Sequence, residues 1–173
     1  MRWLWIDRIV ELTPRERLVA VKHVSLSEDH MHEHFAADDE AGLAALPVMP
    51  APLIIEGMAQ SSGILVGHAG GFDEKVILAK IGRVELDADA SPGDTLRYTA
   101  NLTHLDDAGA ATTGEVELLS PAPGTEPMTI GRIDLMFSHI DRNSAGLAFP
   151  EHNFVFGEGF RTLLRLSGVQ VDF

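Results

Sequence analysis

The chain has 173 residues, 45% of them apolar, which is enough for one domain with a full hydrophobic core and too apolar for a disordered segment. Its 26 acidic residues against 13 basic ones give a formal net charge of -13, which argues against nucleic acid or an anionic membrane surface as a partner. There is no cysteine, so disulfides, thiolate metal sites and cysteine nucleophiles are excluded, as suits a reducing cytoplasm.

The first residues meet charge at Asp7 and Arg8, too early for the apolar core of a secretory signal. Apolar and polar positions alternate through Ile9-Val10-Glu11-Leu12 and again through 17–24, on either side of Thr13-Pro14-Arg15-Glu16. That pattern predicts a two-stranded hairpin. A polar, histidine-rich stretch follows over 25–35, then a loop-like segment over 36–46 with Asp38, Asp39 and Glu40 in a row. Pro50-Ala51-Pro52 opens a helix that runs to about Gly67 and is closed by Gly70-Gly71; Pro52 fits the first turn, where its missing N–H costs nothing. The helix is apolar nearly all round, which predicts burial. Glu56 and Gln60 interrupt it, which argues against a membrane span.

Strand-like segments follow at 75–86, 95–105, 111–119 and 128–140. Turn signals part them at Ser91-Pro92-Gly93-Asp94, Asp106-Asp107-Ala108-Gly109 and Pro121-Ala122-Pro123-Gly124. Two strands, one buried helix and four more strands make an α+β chain, in which a long antiparallel sheet wraps a single central helix. Residues 1–140 account for that domain. Residues 141–173 form a C-terminal extension whose Phe154, Phe156, Phe160 and Leu163 predict packing on the same domain.

Glu56 is the only ionisable group in a helix that reads as buried, and burying a carboxylate costs several kcal/mol unless it is paired or protonated. Gln60, one turn on, shares its face and can hydrogen-bond to it. The functional reading is a carboxyl of raised pKa acting as a general acid; the plain one is a partly exposed helix residue. His30, His32 and His34 form a second cluster, and in a strand they would share one face, as a metal site could use. The competing reading is a polar loop with solvated histidines. A serine hydrolase has less support, since there is no Gly-x-Ser-x-Gly elbow and Ser61-Ser62 sit within the helix.

His34-Phe35, then Pro47-Val48-Met49-Pro50, then Leu53-Ile54-Ile55-Glu56-Gly57-Met58-Ala59-Gln60 resembles the signature of the hot-dog-fold 3-hydroxyacyl-ACP dehydratases of fatty-acid synthesis. That family carries His-Phe-Pro-Gly-x-Pro-Val-Met-Pro-Gly followed by an apolar Leu-Ile-x-Glu-Ala-Met-Ala-Gln helix. Trp5-Ile6-Asp7-Arg8-Ile9, Ser91-Pro92-Gly93-Asp94 and Leu135-Met136-Phe137 are similar to further family segments, in order, from about residue 3 to about 139. The resemblance implies a hot-dog fold and elimination of water from a 3-hydroxyacyl thioester, with His34 as base and Glu56 as acid. It also implies an oxyanion donor at the helix N-terminus, Ala51 N–H being the candidate because Pro52 has none. Gln60 beside the acid, and Met58, Ile64 and Leu65 along the acyl chain, complete the expected site.

In that family the histidine and the acid come from different subunits, so a homodimer is implied. No metal or other cofactor is called for. The substrate carrier that the resemblance implies is an acyl carrier protein or CoA; the acidic balance contrasts with the basic patch that enzymes usually offer to acidic carriers. Among the departures from the family, 36–46 replaces a short Pro-Gly link, and Ala51 stands where the family has glycine. A thioesterase on the same fold and a non-catalytic hot-dog subunit are the alternatives.

Overall fold

The alternation at the start of the chain folds as the hairpin it predicts: β1 (Arg8–Thr13) and β2 (Arg17–His23) pair antiparallel across the Pro14 turn. In this computed structural model the described residues are 3–33, 36–122, 124–140, 150 and 153–170, apart from the side chains of 32 and 33. The one-turn helix α1 (His30–Glu33) follows β2, then the 19-residue helix α2 (Ala51–Ala69). Four long strands come next: β3 (Val76–Leu86), β4 (Thr95–Leu105), β5 (Gly109–Leu119) and β6 (Met128–His139). A last helix, α3 (Glu158–Leu166), lies in the C-terminal extension.

The six strands form one antiparallel sheet in the order β1-β2-β4-β5-β6-β3. Helix α2 lies against β4, with β2, β3, β5 and β6 on its flanks. This is the hot-dog arrangement, and it explains the helix's apolar circumference. Ile54, Met58, Ile64 and Leu65 are each at most 1% exposed, packed with Leu18, Leu96, Val116, Ile133 and Leu135 from the sheet. Each such side chain contributes roughly 1.5–3 kcal/mol on leaving water. Among the described residues no helix is long and apolar enough to cross a membrane.

Local chemistry sets the corners. In Ser91-Pro92-Gly93-Asp94, Asp94 N–H donates to Ser91 C=O at 3.0 Å and Gly93 takes φ 100°, a backbone that glycine adopts without strain. At the far end of α2 the Arg15 guanidinium donates to the Ala69 carbonyl at 3.2 Å, satisfying one of the helix's unpaired C-terminal acceptors.

The reading of 25–35 needs a correction. The backbone is helical over His30–Glu33, so the strand in which alternate histidines would share a face does not form there. Asp38 and Leu43 bridge across a tight turn within 36–46, closed by Ala41 N–H on the Asp38 carboxylate at 2.9 Å.

Across β4 and β5, Arg97 donates from Nε and Nη2 to the two oxygens of Glu117 at 2.7 and 2.6 Å. Hydrogen bonding from Arg97 holds the Glu117 carboxyl below its usual range, against a smaller upward push from desolvation. A folded pKa below the unfolded one stabilises at neutral pH, and that stability is lost as pH falls through the folded value. The expected result is that wild type loses urea resistance below about pH 5 more steeply than Glu117→Gln. The difference is on the order of 1 kcal/mol, because the pair is partly solvated. Parallel slopes for the two proteins would refute it.

Candidate active site

Helix α2 starts without a side-chain cap. Pro50 precedes it, and neither Pro50 nor Pro52 has an N–H, so the first turn offers few donors, Ala51 N–H among them. Pro50 and Met49 are buried, and Met49 N–H donates to the Ala90 carbonyl at 2.8 Å, which ties the helix start to the turn before β4. Ala51 is exposed and is not among the residues with positive φ, so alanine in the family's glycine position carries no backbone strain.

One turn further along, Glu56 is half-buried and accepts a hydrogen bond from Gln60 Nε2 at 3.0 Å. Gln60 itself is buried and fully engaged. Its Oε1 accepts from Trp5 N–H at 2.8 Å, and its Nε2 also donates to the Trp3 carbonyl at 3.0 Å. The amide therefore staples residues 3–5 to α2 and fixes the orientation of the Glu56 carboxyl. Trp5 packs edge-on against both Trp3 and His30, with ring centroids at 5.3 and 5.1 Å.

Glu56 opens onto a cavity of about 270 Å³. Ala59, Gln60, Gly63 and Ile64 of α2 form one wall of it, and Val76, Ile77 and Leu78 of β3 with Phe137 of β6 form another. Val155, Phe156 and Phe160 of the C-terminal extension also line it. A carboxyl at the side of a narrow apolar space suits a ligand with an alkyl chain and a polar reacting end.

Of the residues expected at the site, the structure brings together Glu56, Gln60 and Ile64. Met58 and Leu65 lie elsewhere: Met58 is fully buried beneath the sheet, where a Cβ on Gly114 would come within 2.6 Å of its Cε, and neither residue lines the cavity. His34 falls outside the described residues, as does Phe35. Among the described residues no group of three or more histidine, aspartate or glutamate side chains is placed to hold a metal ion. The three aromatic and aliphatic residues of the extension were not foreseen as site residues; the only signal for them in the sequence is the density of phenylalanine after 150.

Two titratable groups away from the cavity are shifted by burial. Partial burial lowers the His68 pKa, and burial pushes the Tyr98 phenol up, with the Asp7 charge adding to it. Neither lines the cavity at Glu56.

A family model described as a FabA-like domain matches residues 1–118. A curated relative from Campylobacter concisus, named 3-hydroxyacyl-[acyl-carrier-protein] dehydratase FabZ, is 35% identical over 107 residues, covering 58% of this chain and 67% of that protein. The chain spans 59% to 67% of the length of three such curated relatives. Among solved structures, the dehydratase heterocomplex ApeI:P from Xenorhabdus doucetiae aligns with TM-score 0.56 at 18% identity, covering 83% of this chain and 90% of that one. An acyl-CoA hydrolase from Staphylococcus aureus, in complex with butyryl coenzyme A, aligns with TM-score 0.56 at 12% identity, covering 73% and 67%. At those identities the structural likeness establishes the hot-dog fold and nothing about chemistry.

Proposed function

The chain belongs to the FabA-like domain family, and we propose that it eliminates water from a 3-hydroxyacyl thioester to give a trans-2-enoyl thioester, in fatty-acid or related acyl-chain synthesis. The observation that carries this is the Glu56 carboxyl, held by Gln60 and opening onto an apolar cavity on the motif-bearing helix. In the forward reaction His34 takes the proton from C2. The thioester oxygen gains negative charge next to the Ala51 N–H. Glu56 protonates the hydroxyl leaving C3, and water departs as the C2–C3 double bond forms. His34 enters on its place in the motif.

The catalytic unit is a homodimer, in which His34 of one protomer serves Glu56 of the other. Strand β3 suits such pairing: among the described residues it lies at the end of the sheet with only β6 beside it, and Ile77, Leu78, Ile81 and Val84 are 38–45% exposed. A long apolar edge strand left open is a template for a second chain. The substrate is carried by an acyl carrier protein or CoA. The cysteine-free composition suits work in a reducing cytoplasm.

The test is to mix the purified protein with a crotonyl thioester, on CoA and on a carrier protein, and to follow loss of the conjugated enone absorbance alongside free thiol. The expected result is loss of absorbance without thiol release, from a species that sediments as a dimer. Thiol release would move the chain to the thioesterases. No reaction on either carrier would leave a non-catalytic subunit.

A further inference from the structure

We propose that Phe156, braced by Phe160 and Val155, closes the far end of the cavity beside Glu56 and so sets the longest acyl chain that the site accepts. This rests on the dehydratase reading and extends it to a part of the chain beyond the matched residues 1–118.

Glu56, Gln60, Gly63 and Gly67 recur at helical spacing along one face of α2. The space over that face changes along its length. A Cβ on Gly63 would meet only the edge of the Phe137 ring, at 3.7 Å, so there is room above it. A Cβ on Gly67 would collide with the Phe156 ring and stand 2.9 Å from Phe72, so there the space is already filled. Free volume thus begins beside Glu56 and stops between Gly63 and Gly67, roughly 10 to 16 Å away along the helix. An extended alkyl chain whose reacting end lies at Glu56 runs along this face and meets the Phe156 ring.

That ring is held in place. It is 2% exposed and packs edge-on against Phe72 at 4.9 Å and Phe160 at 6.1 Å. Its loop is tied to the segment after α2 by Asn153, whose Nδ2 donates to the carbonyls of Phe72 at 2.9 Å and Glu74 at 3.1 Å. The Asn153 Oδ1 accepts from Val155 N–H at 3.1 Å, which fixes the turn into the aromatic pair. Beyond that turn, Leu163 and Leu164 of α3 are buried in the main core, anchoring the extension from its other side. A chain too long for the cavity must push a packed aromatic out of the core, whereas a chain that fits loses nothing. The discrimination is therefore by length.

The experiment measures kcat/KM for crotonyl, trans-2-octenoyl and trans-2-dodecenoyl thioesters on one carrier, in wild type, Phe156→Ala, Phe160→Ala and Gly63→Leu. Phe156→Ala is expected to raise the dodecenoyl-to-crotonyl ratio by about tenfold or more, the scale on which apolar pockets discriminate chain length. Gly63→Leu fills the open stretch and is expected to lower the octenoyl-to-crotonyl ratio by a similar factor. Phe160 is half-buried, so Phe160→Ala carries the test if Phe156→Ala does not fold, with a smaller shift in the same direction. A folded Phe156→Ala or Phe160→Ala with the wild-type length profile overturns the proposal.

Calorimetric titration with butyryl-, octanoyl- and dodecanoyl-CoA separates this proposal from the dehydratase reading. If wild type hydrates no enoyl thioester, that reading fails, yet tighter dodecanoyl-CoA binding by Phe156→Ala still supports the wall. Unchanged binding across the series sinks it.

Discussion

Glu56→Gln is expected to lower kcat for hydration of a crotonyl thioester by about 10²- to 10⁴-fold, the range over which a positioned general acid or base acts. The amide is nearly isosteric, and its carbonyl oxygen can accept the same hydrogen bond from Gln60 Nε2 that the carboxylate accepts now. The staple from Gln60 to Trp3 and Trp5 does not pass through Glu56, so the N-terminal segment stays in place. What the variant lacks is a group that gives a proton to the leaving hydroxyl in dehydration and takes one from the attacking water in hydration. Steady-state kinetics in both directions, with the thermal unfolding midpoint alongside, check this. A variant within a few-fold of wild type would remove Glu56 from the chemistry, and a large drop in the midpoint would make the loss structural.

The second large effect is on stability and sits at the neighbouring residue. Gly57→Ala is expected to destabilise the fold by about 1–3 kcal/mol, the usual range for overpacking a close-packed core. The added Cβ would stand 2.5 Å from the Tyr98 oxygen, 2.6 Å from the ring carbon that bears it and 2.9 Å from the Trp5 carbonyl. Tyr98 is fully buried and the Trp5 carbonyl is backbone, so neither yields easily. Alanine is otherwise the better helix former, by about 1 kcal/mol. The same substitution at Gly63 isolates that preference, because its Cβ meets only Phe137 at 3.7 Å. Gly63→Ala is thus expected to be neutral or stabilising by a few tenths of a kcal/mol up to about 1. Urea unfolding of both variants reads the contrast; equal midpoints would mean that Tyr98 moves aside at no cost. The family motif has alanine at the position of Gly57, and the glycine here leaves room for Tyr98.

The secondary structure of residues 8–140 was largely legible because its signals are local. Alternation marks β1 and β2, the Pro-Ala-Pro start and double glycine bound α2, and Pro/Gly/Asp clusters separate the later strands. Helix α1 was not legible: one turn is too short to impose a period, and the polar side chains of 25–33 suit a loop as well as a helix. Helix α3 was equally hidden, although its phenylalanines and leucines were visible as material for packing.

The site divides in the same way. Glu56 and Gln60 were found because a carboxylate in an apolar helix needs a reason and an amide four residues on can reach it. Met58 is expected along the acyl chain as an apolar residue of the buried helix, yet it stands two positions from Glu56, about 200° around the axis. That rotation carries Met58 under the sheet to Gly114.

The set of elements, the motif helix with its acid and amide, and the family can all be read along the chain without knowledge of the fold. All of these rest on residues near one another along the chain. The strand order, which sends β3 to the opposite end of the sheet from β1, and the meeting of Phe156 with Gly67 emerge on folding. Strand order follows from pairing between distant segments, and the aromatic wall from two surfaces nearly ninety residues apart whose shapes match only once folded. Contacts of that kind depend on which backbone comes close enough to leave room for a ring. No local period carries that information.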